Sequence, residues 1–189
     1  MNIQGKVAVI TGGASGLGRA SAEMIIANGG KVAILDLNED LANATAKELG
    51  DAKAYQVNVT DDASVTAAIN QIHEDFGAIH INVNCAGIGA ASRTVGREGA
   101  LDIAKFNFIV QVNLIGTFSV LSKCAAIMQL NEPEGEALER GVVINSIAVA
   151  RDIFAVAFHF ELFEVSRQMT EAPVIGQDGM CADIQKVDV

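Results

Sequence analysis

The chain reads VAVITGGASGLG from Val7 to Gly18, and this stretch decides the fold. Its first four residues are an apolar run, which is typical of a strand buried on both faces of a sheet. From Leu17 to Asn28, apolar residues recur at helical spacing until Gly29 and Gly30 stop the pattern. The stretch therefore predicts a strand, a glycine-rich turn and a helix in direct succession.

The same alternation continues along the chain. Further strands are predicted at 31–37, 54–59, 79–84 and 142–145, and further helices at 38–49, 60–76 and 101–130. Asn38 is a suitable N-cap and Gly50 a suitable stop for the second helix, while carboxylates open the third helix at Asp61 and Asp62. This order predicts an α/β fold: a doubly wound, Rossmann-type parallel sheet covered by helices on both faces.

Length and composition predict a single domain over residues 1–189. Half of the residues are hydrophobic and the mean hydropathy is +0.32, which is enough for a sizeable core. The formal net charge of −10 argues against a nucleic-acid partner and against a basic membrane-surface helix. No uninterrupted apolar run approaches the ~18 residues typical of a membrane span, so we expect no membrane partner.

Cysteine and histidine placement gives no sign of a disulfide framework or a metal site. Cys85, Cys124 and Cys181 form no CxxC pair and are odd in number, which fits a reducing, cytoplasmic compartment. The first residues, 1–6, lack the pattern of a signal peptide. We assign no metal to His73 or His80, and His159 is expected to be a surface or boundary residue.

The glycine-rich turn has a chemical interpretation. Glycines between a strand and a helix let backbone amides approach a pyrophosphate, and the helix N-terminus supplies free N–H groups. Asp36 ends the second strand, where a carboxylate accepts hydrogen bonds from ribose hydroxyls and repels a 2′-phosphate. The pattern therefore predicts NAD rather than NADP. The alternatives are an ordinary glycine-rich turn and a helix-capping aspartate.

Together with later motifs, these residues resemble the short-chain dehydrogenase/reductase family. Residues 11–18 match its Thr-Gly-x-x-x-Gly-x-Gly motif, and 84–87 read Asn-Cys-Ala-Gly where the family has Asn-Asn-Ala-Gly. Asn58-Val59 stand where the family places an adenine-contacting Asp-Val, and 141–145 match the strand before its catalytic serine. The resemblance covers about residues 3–150. Within the family it is nearest to the type II 3-hydroxyacyl-CoA dehydrogenases, also known as type 10 17β-hydroxysteroid dehydrogenases.

The resemblance implies an NAD-dependent oxidoreductase acting on the alcohol or ketone group of a 3-hydroxyacyl-CoA or hydroxysteroid, and a homo-oligomer. Members of the family pack through the helix that corresponds to 101–130 and through a second helix that has no counterpart here. Asn113 matches the asparagine of the family's proton relay. In the loop before Leu101, Arg93 and Arg97 either meet a CoA phosphate or belong to a solvated loop. The implied cofactor-binding residues are Gly12, Ser15, Gly16, Leu17, Gly18, Asp36, Asn58, Val59, Cys85, Ala86 and Gly87.

The family's acid–base pair has no counterpart in this chain. A phenol with a pKa near ~10 is a poor base at neutral pH, so the family uses Tyr-x-x-x-Lys, whose lysine stabilises the phenolate. The only tyrosine here is Tyr55, in the third predicted strand. Ala148 occupies the place of the family's serine, so Ser146 is either its displaced replacement or an ordinary strand-end serine. Two functions remain open: an active dehydrogenase, or an NAD-binding relic or partner subunit with impaired catalysis.

Compared with the family, residues 1–150 form a family-like core. The tail, residues 151–189, departs from the family pattern and leaves the fold C-terminally shortened. Residues 172–180 echo the family's closing strand, while 151–171 carry Phe154, Phe158, Leu162 and Val165 at helical spacing. This segment is either an amphipathic helix that covers the sheet or an unrelated tail with no stable place. A sheet that ends at the fifth strand has an uncovered edge, so we expect self-association or marginal stability unless 151–189 cover it.

Overall fold

The structure is a computed structural model that describes residues 2–89, 95–97 and 99–146, and the backbone of 182–187. The elements in chain order are β1 (Val7–Thr11), α1 (Gly16–Ala27), β2 (Lys31–Asp36), α2 (Glu39–Leu49), β3 (Ala52–Gln56), α3 (Asp62–Phe76), β4 (Ile81–Asn84), β5 (Val95–Gly96), β6 (Gly99–Ala100), α4 (Ile103–Val110), a π-helical segment (Gln111–Gly116), α5 (Thr117–Met128), β7 (Gly141–Ser146) and β8 (Ala182–Val187).

The main sheet has the strand order β3-β2-β1-β4-β7-β8. Its first five strands are parallel, which confirms the predicted doubly wound Rossmann-type fold. Side chains alternate across β1: Val9 packs with α3 and α5 on one face, whereas Ala8 and Ile10 pack with α1 and α2 on the other. Because β1 is buried on both faces, its sequence is a continuous apolar run rather than an alternating one.

Helix ends follow the predicted caps. The Asn38 side chain accepts a hydrogen bond from the Leu41 amide at 3.1 Å and begins α2, which ends at Gly50. Asp61 accepts from the amides of Ala63 and Ser64 and begins α3. These caps satisfy amides that the first helical turn leaves unpaired, and they orient both helices back across the sheet.

The free edge of β7 is covered by β8, which pairs with it antiparallel from Gly141↔Val187 to Ser146↔Ala182. Of the two alternatives, cover by the tail is the one that the structure shows at this edge, because a strand within 151–189 supplies the missing backbone partners. The echo of the family's closing strand at 172–180 lies outside the described residues, as does the segment 151–171.

The helix predicted at 101–130 is continuous from Ile103 to Met128 but is widened into a π-helical segment at its middle. By length and composition alone this helix is apolar enough to cross a bilayer, because Lys105 and Lys123 are the only charged residues among its 26. A helix that belongs to a protein core can meet the same criteria of length and composition. Its second half packs on the sheet through the buried side chains of Val120, Cys124 and Met128.

Candidate functional site

The glycine-rich turn lies between β1 and α1 at the carboxyl edge of the sheet, as predicted. Gly12 has a φ of +63°, a left-handed conformation that L side chains rarely adopt. A Cβ atom at Gly18 would lie 2.3 Å from the carbonyl oxygen of Gly12, so only glycine lets the helix start this close to the turn. The two glycines therefore shape a narrow cradle of backbone.

The N-terminus of α1 is open to an anion. Its N-cap, Ser15, makes no side-chain hydrogen bond to the first turn, and that turn contains no acidic residue. Ser15, Gly16 and Leu17 are exposed, in contrast to the buried Gly18 beneath them. Amides that no side chain caps, together with the partial positive charge of the helix end, favour a phosphate group at this position.

Asp36 lies beside this turn. Its carboxylate accepts hydrogen bonds from the Ala14 amide at 3.2 Å and from the Asn38 amide at 3.0 Å. The contact with Ala14 attaches the end of β2 to the glycine-rich turn. A negative charge is thereby fixed at the edge of the phosphate cradle, which suits ribose hydroxyls and opposes a further phosphate.

The residues that follow β4 close the other side of the turn. The Thr11 hydroxyl accepts hydrogen bonds from the amides of Cys85 and Ala86, at 3.1 and 3.0 Å. A Cβ atom at Gly12 would lie 3.1 Å from the Ala86 nitrogen, so the two backbones are in close contact. Burial raises the pKa of the half-buried Cys85 thiol, which keeps it protonated and unsuited to act as a nucleophile.

Asn58 and Val59 follow β3 at the same edge. The Asn58 side chain accepts hydrogen bonds from the Thr60 amide and hydroxyl and shapes the turn into α3. Val59 packs against Gly116: a Cβ atom added at Gly116 would lie 2.8 Å from the Cγ2 atom of Val59. This contact positions the long helix beside the Asn58–Val59 turn, on the side of the site where the resemblance places adenine.

Asn113 lies in the π-helical segment and faces the loop after β4. Its side chain accepts from the Ile88 amide at 2.8 Å and donates to the Ile88 carbonyl at 2.9 Å. π-helical turns within α-helices are frequent at functional sites. The structure therefore brings Asn113 close to Gly87, the last residue of the Asn-Cys-Ala-Gly motif.

Ser146 is the last residue of β7, and its catalytic role stays a prediction. Alternation along the strand places it on the opposite face from Asn145, whose side-chain oxygen accepts from Asn84 at 2.9 Å. Ala148 lies outside the described residues. Arg97 is exposed in the turn between β5 and β6, whereas Arg93 is outside the described part.

The phenol of Tyr55 is engaged outside this site. This tyrosine lies in β3, the outer strand of the sheet on that side, and its hydroxyl donates to Asp75 of α3 at 2.6 Å. Burial first, and then the Asp75 carboxylate, raise the pKa of the phenol. The only tyrosine of the chain is thus held in a structural contact with α3.

Sequence reasoning missed three contributors to the site. Ile88 contributes only backbone atoms, so no side-chain pattern identifies it. Gly116 contributes because it has no side chain, which leaves room for Val59. A glycine inside a predicted helix is a signal that the sequence did offer. Asn82, fully buried in β4, exchanges hydrogen bonds with Asn84 and donates to the Val9 carbonyl. Within the described residues, no group of three or more His, Cys, Asp or Glu side chains is arranged to hold a metal ion.

Comparison with known proteins gives consistent matches. A family model described as short chain dehydrogenase matches residues 6–154. The 3-hydroxyacyl-CoA dehydrogenase type-2 proteins of Drosophila melanogaster and Bos taurus are 36% and 37% identical, over 92% and 93% of this chain and 67% and 66% of their own lengths. The chain therefore spans about two thirds of the length of these relatives.

Two further matches are more distant. The 3-oxoacyl-[acyl-carrier-protein] reductase FabG of Escherichia coli is 33% identical over 78% of this chain and 59% of its own length. Among solved structures, the crystal structure of gox2181 superposes with a TM-score of 0.61 at 32% identity, covering 66% of this chain and 49% of that one.

Proposed function

Because the chain belongs to the short-chain dehydrogenase family, we propose that it binds NAD(H) at the carboxyl edge of its sheet and acts as an oxidoreductase on a 3-hydroxyacyl or 3-oxoacyl thioester. The bound nicotinamide would supply or accept the hydride. The residues of this chain would hold the dinucleotide, orient it and exclude NADP.

One observation carries the cofactor proposal: Asp36 accepts a hydrogen bond from the Ala14 amide, within the glycine-rich turn. The open N-terminus of α1 would bind the diphosphate, and Asp36 would accept hydrogen bonds from the adenosine ribose. The same carboxylate supports a preference for NAD, because a 2′-phosphate beside it would bring two negative charges together. Arg19, the cation in the first turn of α1, is engaged by Glu23 and Glu48.

The substrate class rests on the relatives. They include a 3-hydroxyacyl-CoA dehydrogenase and a 3-oxoacyl-[acyl-carrier-protein] reductase. Both names refer to acyl thioesters, with a hydroxyl group at carbon 3 in the first and an oxo group in the second. A hydroxysteroid remains the alternative that the sequence resemblance implies. A reducing cytoplasmic location and a homo-oligomer belong to the same proposal, supported by the cysteine pattern and the resemblance respectively.

A second candidate function is NAD binding with impaired turnover, as a relic or partner subunit. The observation that favours it is the hydrogen bond of Tyr55 to Asp75, because this bond keeps the chain's only tyrosine away from the carboxyl edge. Loss of a general acid–base group typically lowers a rate by ~10²–10⁴-fold, which leaves measurable residual activity. The two candidates share the cofactor site and differ only in rate.

The experiment is a fluorescence titration of the protein with NADH and NADPH, followed by an assay of acetoacetyl-CoA reduction in the same samples. We expect NADH to bind more tightly than NADPH. Asp36→Asn keeps an oxygen for the Ala14 amide but removes the charge, so the preference should fall by about tenfold or more. Failure to bind either nucleotide would contradict both candidates, and turnover at a rate typical of dehydrogenases would contradict the second.

A further inference from the structure

Thr45, a buried residue of α2, makes a hydrogen bond that its own helix does not require. Its hydroxyl donates to the carbonyl oxygen of Ala14 at 3.1 Å, across 31 residues of sequence. A helical serine or threonine hydroxyl commonly bonds to the carbonyl four residues back in the same helix. Ser21 in α1 and Thr66 in α3 make that bond. Thr45 instead joins α2 to the glycine-rich turn.

We propose that Thr45 is a positioning residue for the cofactor. Its hydroxyl would fix the peptide unit between Ala14 and Ser15, so that the Ser15 amide faces the diphosphate of the dinucleotide. Thr45 would act through the backbone of the turn and would not itself touch the cofactor. The inference rests on the proposed NAD(H) site and adds to it a residue outside the glycine-rich motif.

Peptide geometry connects Thr45 to the Ser15 amide. Every peptide bond of the described residues is trans, and in a trans unit the C=O and N–H groups point in opposite directions within one rigid plane. Because the Ala14 carbonyl is directed at Thr45, the Ser15 amide points away from α2. Ala14 and Thr45 are buried, whereas Ser15 is exposed at the start of α1. The amide is therefore directed toward the open side of the turn, where an anion has access.

The preceding peptide unit is held as well. Asp36 accepts a hydrogen bond from the Ala14 amide at 3.2 Å, so both polar groups of the Ala14 backbone have partners on other elements. Two consecutive peptide planes are thereby fixed, one by the end of β2 and the other by α2. A backbone that already holds its binding geometry loses less conformational entropy when the ligand arrives.

Loss of the Thr45 hydroxyl has a defined consequence for the turn. Ala14 is only 1% exposed, and a buried carbonyl without a partner is costly. With valine at position 45 the carbonyl would gain a partner only by rotating toward water, and the Ser15 amide would rotate with it. Serine keeps the hydroxyl and so should keep the orientation.

Titration of three variants with NADH tests the proposal. Thr45→Val removes the hydroxyl but keeps the shape of the side chain, and Thr45→Ser is the conservative variant that retains the hydroxyl. Ile72→Val is the control for stability alone, because Ile72 is fully buried against the opposite face of the sheet from α2. Fluorescence titrations are made at a temperature where each chain is folded, and urea midpoints are recorded beside them.

We expect the Kd for NADH to rise at least about fivefold in Thr45→Val and to stay within about twofold of the natural value in Thr45→Ser and Ile72→Val. The urea midpoint should fall in both Thr45→Val and Ile72→Val. A loss of stability would therefore be common to the two variants, and a loss of affinity specific to Thr45→Val.

The outcomes separate the inference from the proposed function. Natural affinity in Thr45→Val would overturn the inference and leave the proposed function standing. An equal loss of affinity in Ile72→Val, or in Thr45→Ser, would also overturn it, because the hydroxyl would then not be the cause. Failure of the natural chain to bind NADH or NADPH would overturn both.

A second measurement uses the unchanged chain and does not depend on the folding of Thr45→Val. Inorganic pyrophosphate is titrated into the ¹⁵N-labelled protein, and the backbone amide resonances are followed. We expect the Ser15 resonance to move and saturate, and the Ala14 resonance to move less because Asp36 already occupies that amide. An unmoved Ser15 resonance, or a larger movement at Ala14, would contradict the orientation that the proposal assigns to the turn.

Discussion

Asn113 binds both polar groups of the Ile88 backbone, accepting from its amide at 2.8 Å and donating to its carbonyl at 2.9 Å. The pair joins the π-helical segment of the long helix to the loop that follows β4. Since that loop also contacts the glycine-rich turn through Thr11, one side chain connects the helix to the candidate cofactor site. The geometry gives Asn113 a positioning role whatever the rate of the reaction.

Replacing Asn113 by Leu should therefore destabilise the fold. The substitution leaves the Ile88 amide and carbonyl unpaired in a half-buried environment, at a cost of ~1–3 kcal/mol. Urea denaturation measures the change in the free energy of unfolding. Asn107→Leu, at an exposed position of the same helix, is the matched control and should change it by less than ~0.5 kcal/mol. Equal effects of the two substitutions would contradict the positioning role.

Gly18→Ala should abolish nucleotide binding. A Cβ atom 2.3 Å from the Gly12 carbonyl oxygen forces the start of α1 away from the turn and opens the cradle. We expect the affinity for NADH, measured by fluorescence titration, to fall at least about tenfold and the unfolding midpoint to fall with it. Gly96→Ala is the control, because its Cβ would be 3.9 Å from the nearest atom and its φ is ordinary. NADH binding by Gly18→Ala at wild-type affinity would argue against a phosphate cradle at this turn.

The sequence was sufficient for the parallel sheet and for the glycine-rich turn, because both follow from local patterns. The run Val7–Ile10 and the caps Asn38 and Asp61 each act within a few residues. The cover on the edge of β7 was not predictable in this way. Its partner, Ala182–Val187, is more than 35 residues distant in sequence, and antiparallel pairing with β7 leaves no local signature.

The site was predicted in the same uneven manner. Asp36 and Gly18 were identified because a motif with fixed spacing contains them, and the structure brings both to one edge. Ile88 and Asn82 were not, since Ile88 acts through its backbone and Asn82 through a buried amide that pairs with Asn84 within the same strand. The role of such residues depends on contacts between segments that are distant in sequence. No periodic pattern in a single sequence indicates those contacts.

The phenol of Tyr55 should titrate above its ordinary pKa of ~10. Burial disfavours the phenolate, and the hydrogen bond to Asp75 stabilises the protonated form. The chain has one tyrosine and no tryptophan, so ultraviolet difference absorbance reports this group alone. Asp75→Asn should lower the pKa but leave it above that of the urea-unfolded chain, because burial is the larger cause. A folded-state pKa at or below ~10 would reopen a catalytic role for Tyr55.

His80 should make the folded state less stable in mild acid. Its Nδ1 atom accepts a hydrogen bond from the Val7 amide at 3.2 Å, and this bond requires the neutral ring. Burial, and then the charge of Lys6, lower the pKa of His80, while Glu134 opposes the shift. Since the folded pKa lies below the unfolded value of ~6.5, the contribution is complete above pH ~6.5 and is lost as the pH falls through the folded pKa.

The measurement is the urea midpoint between about pH 5 and pH 8, a range that avoids the acidic titration of Glu134, whose pKa Lys6 lowers. His80→Asn keeps an acceptor for the Val7 amide but does not titrate, so its midpoint should vary less with pH than that of the natural chain. The natural chain should be most stable relative to the variant at pH 8, where the His80 contribution is complete, and this advantage should shrink as the pH falls toward 5. Parallel profiles would show that His80 does not account for the acid sensitivity, and a wild-type midpoint that rises toward pH 5 would contradict the sign of the shift.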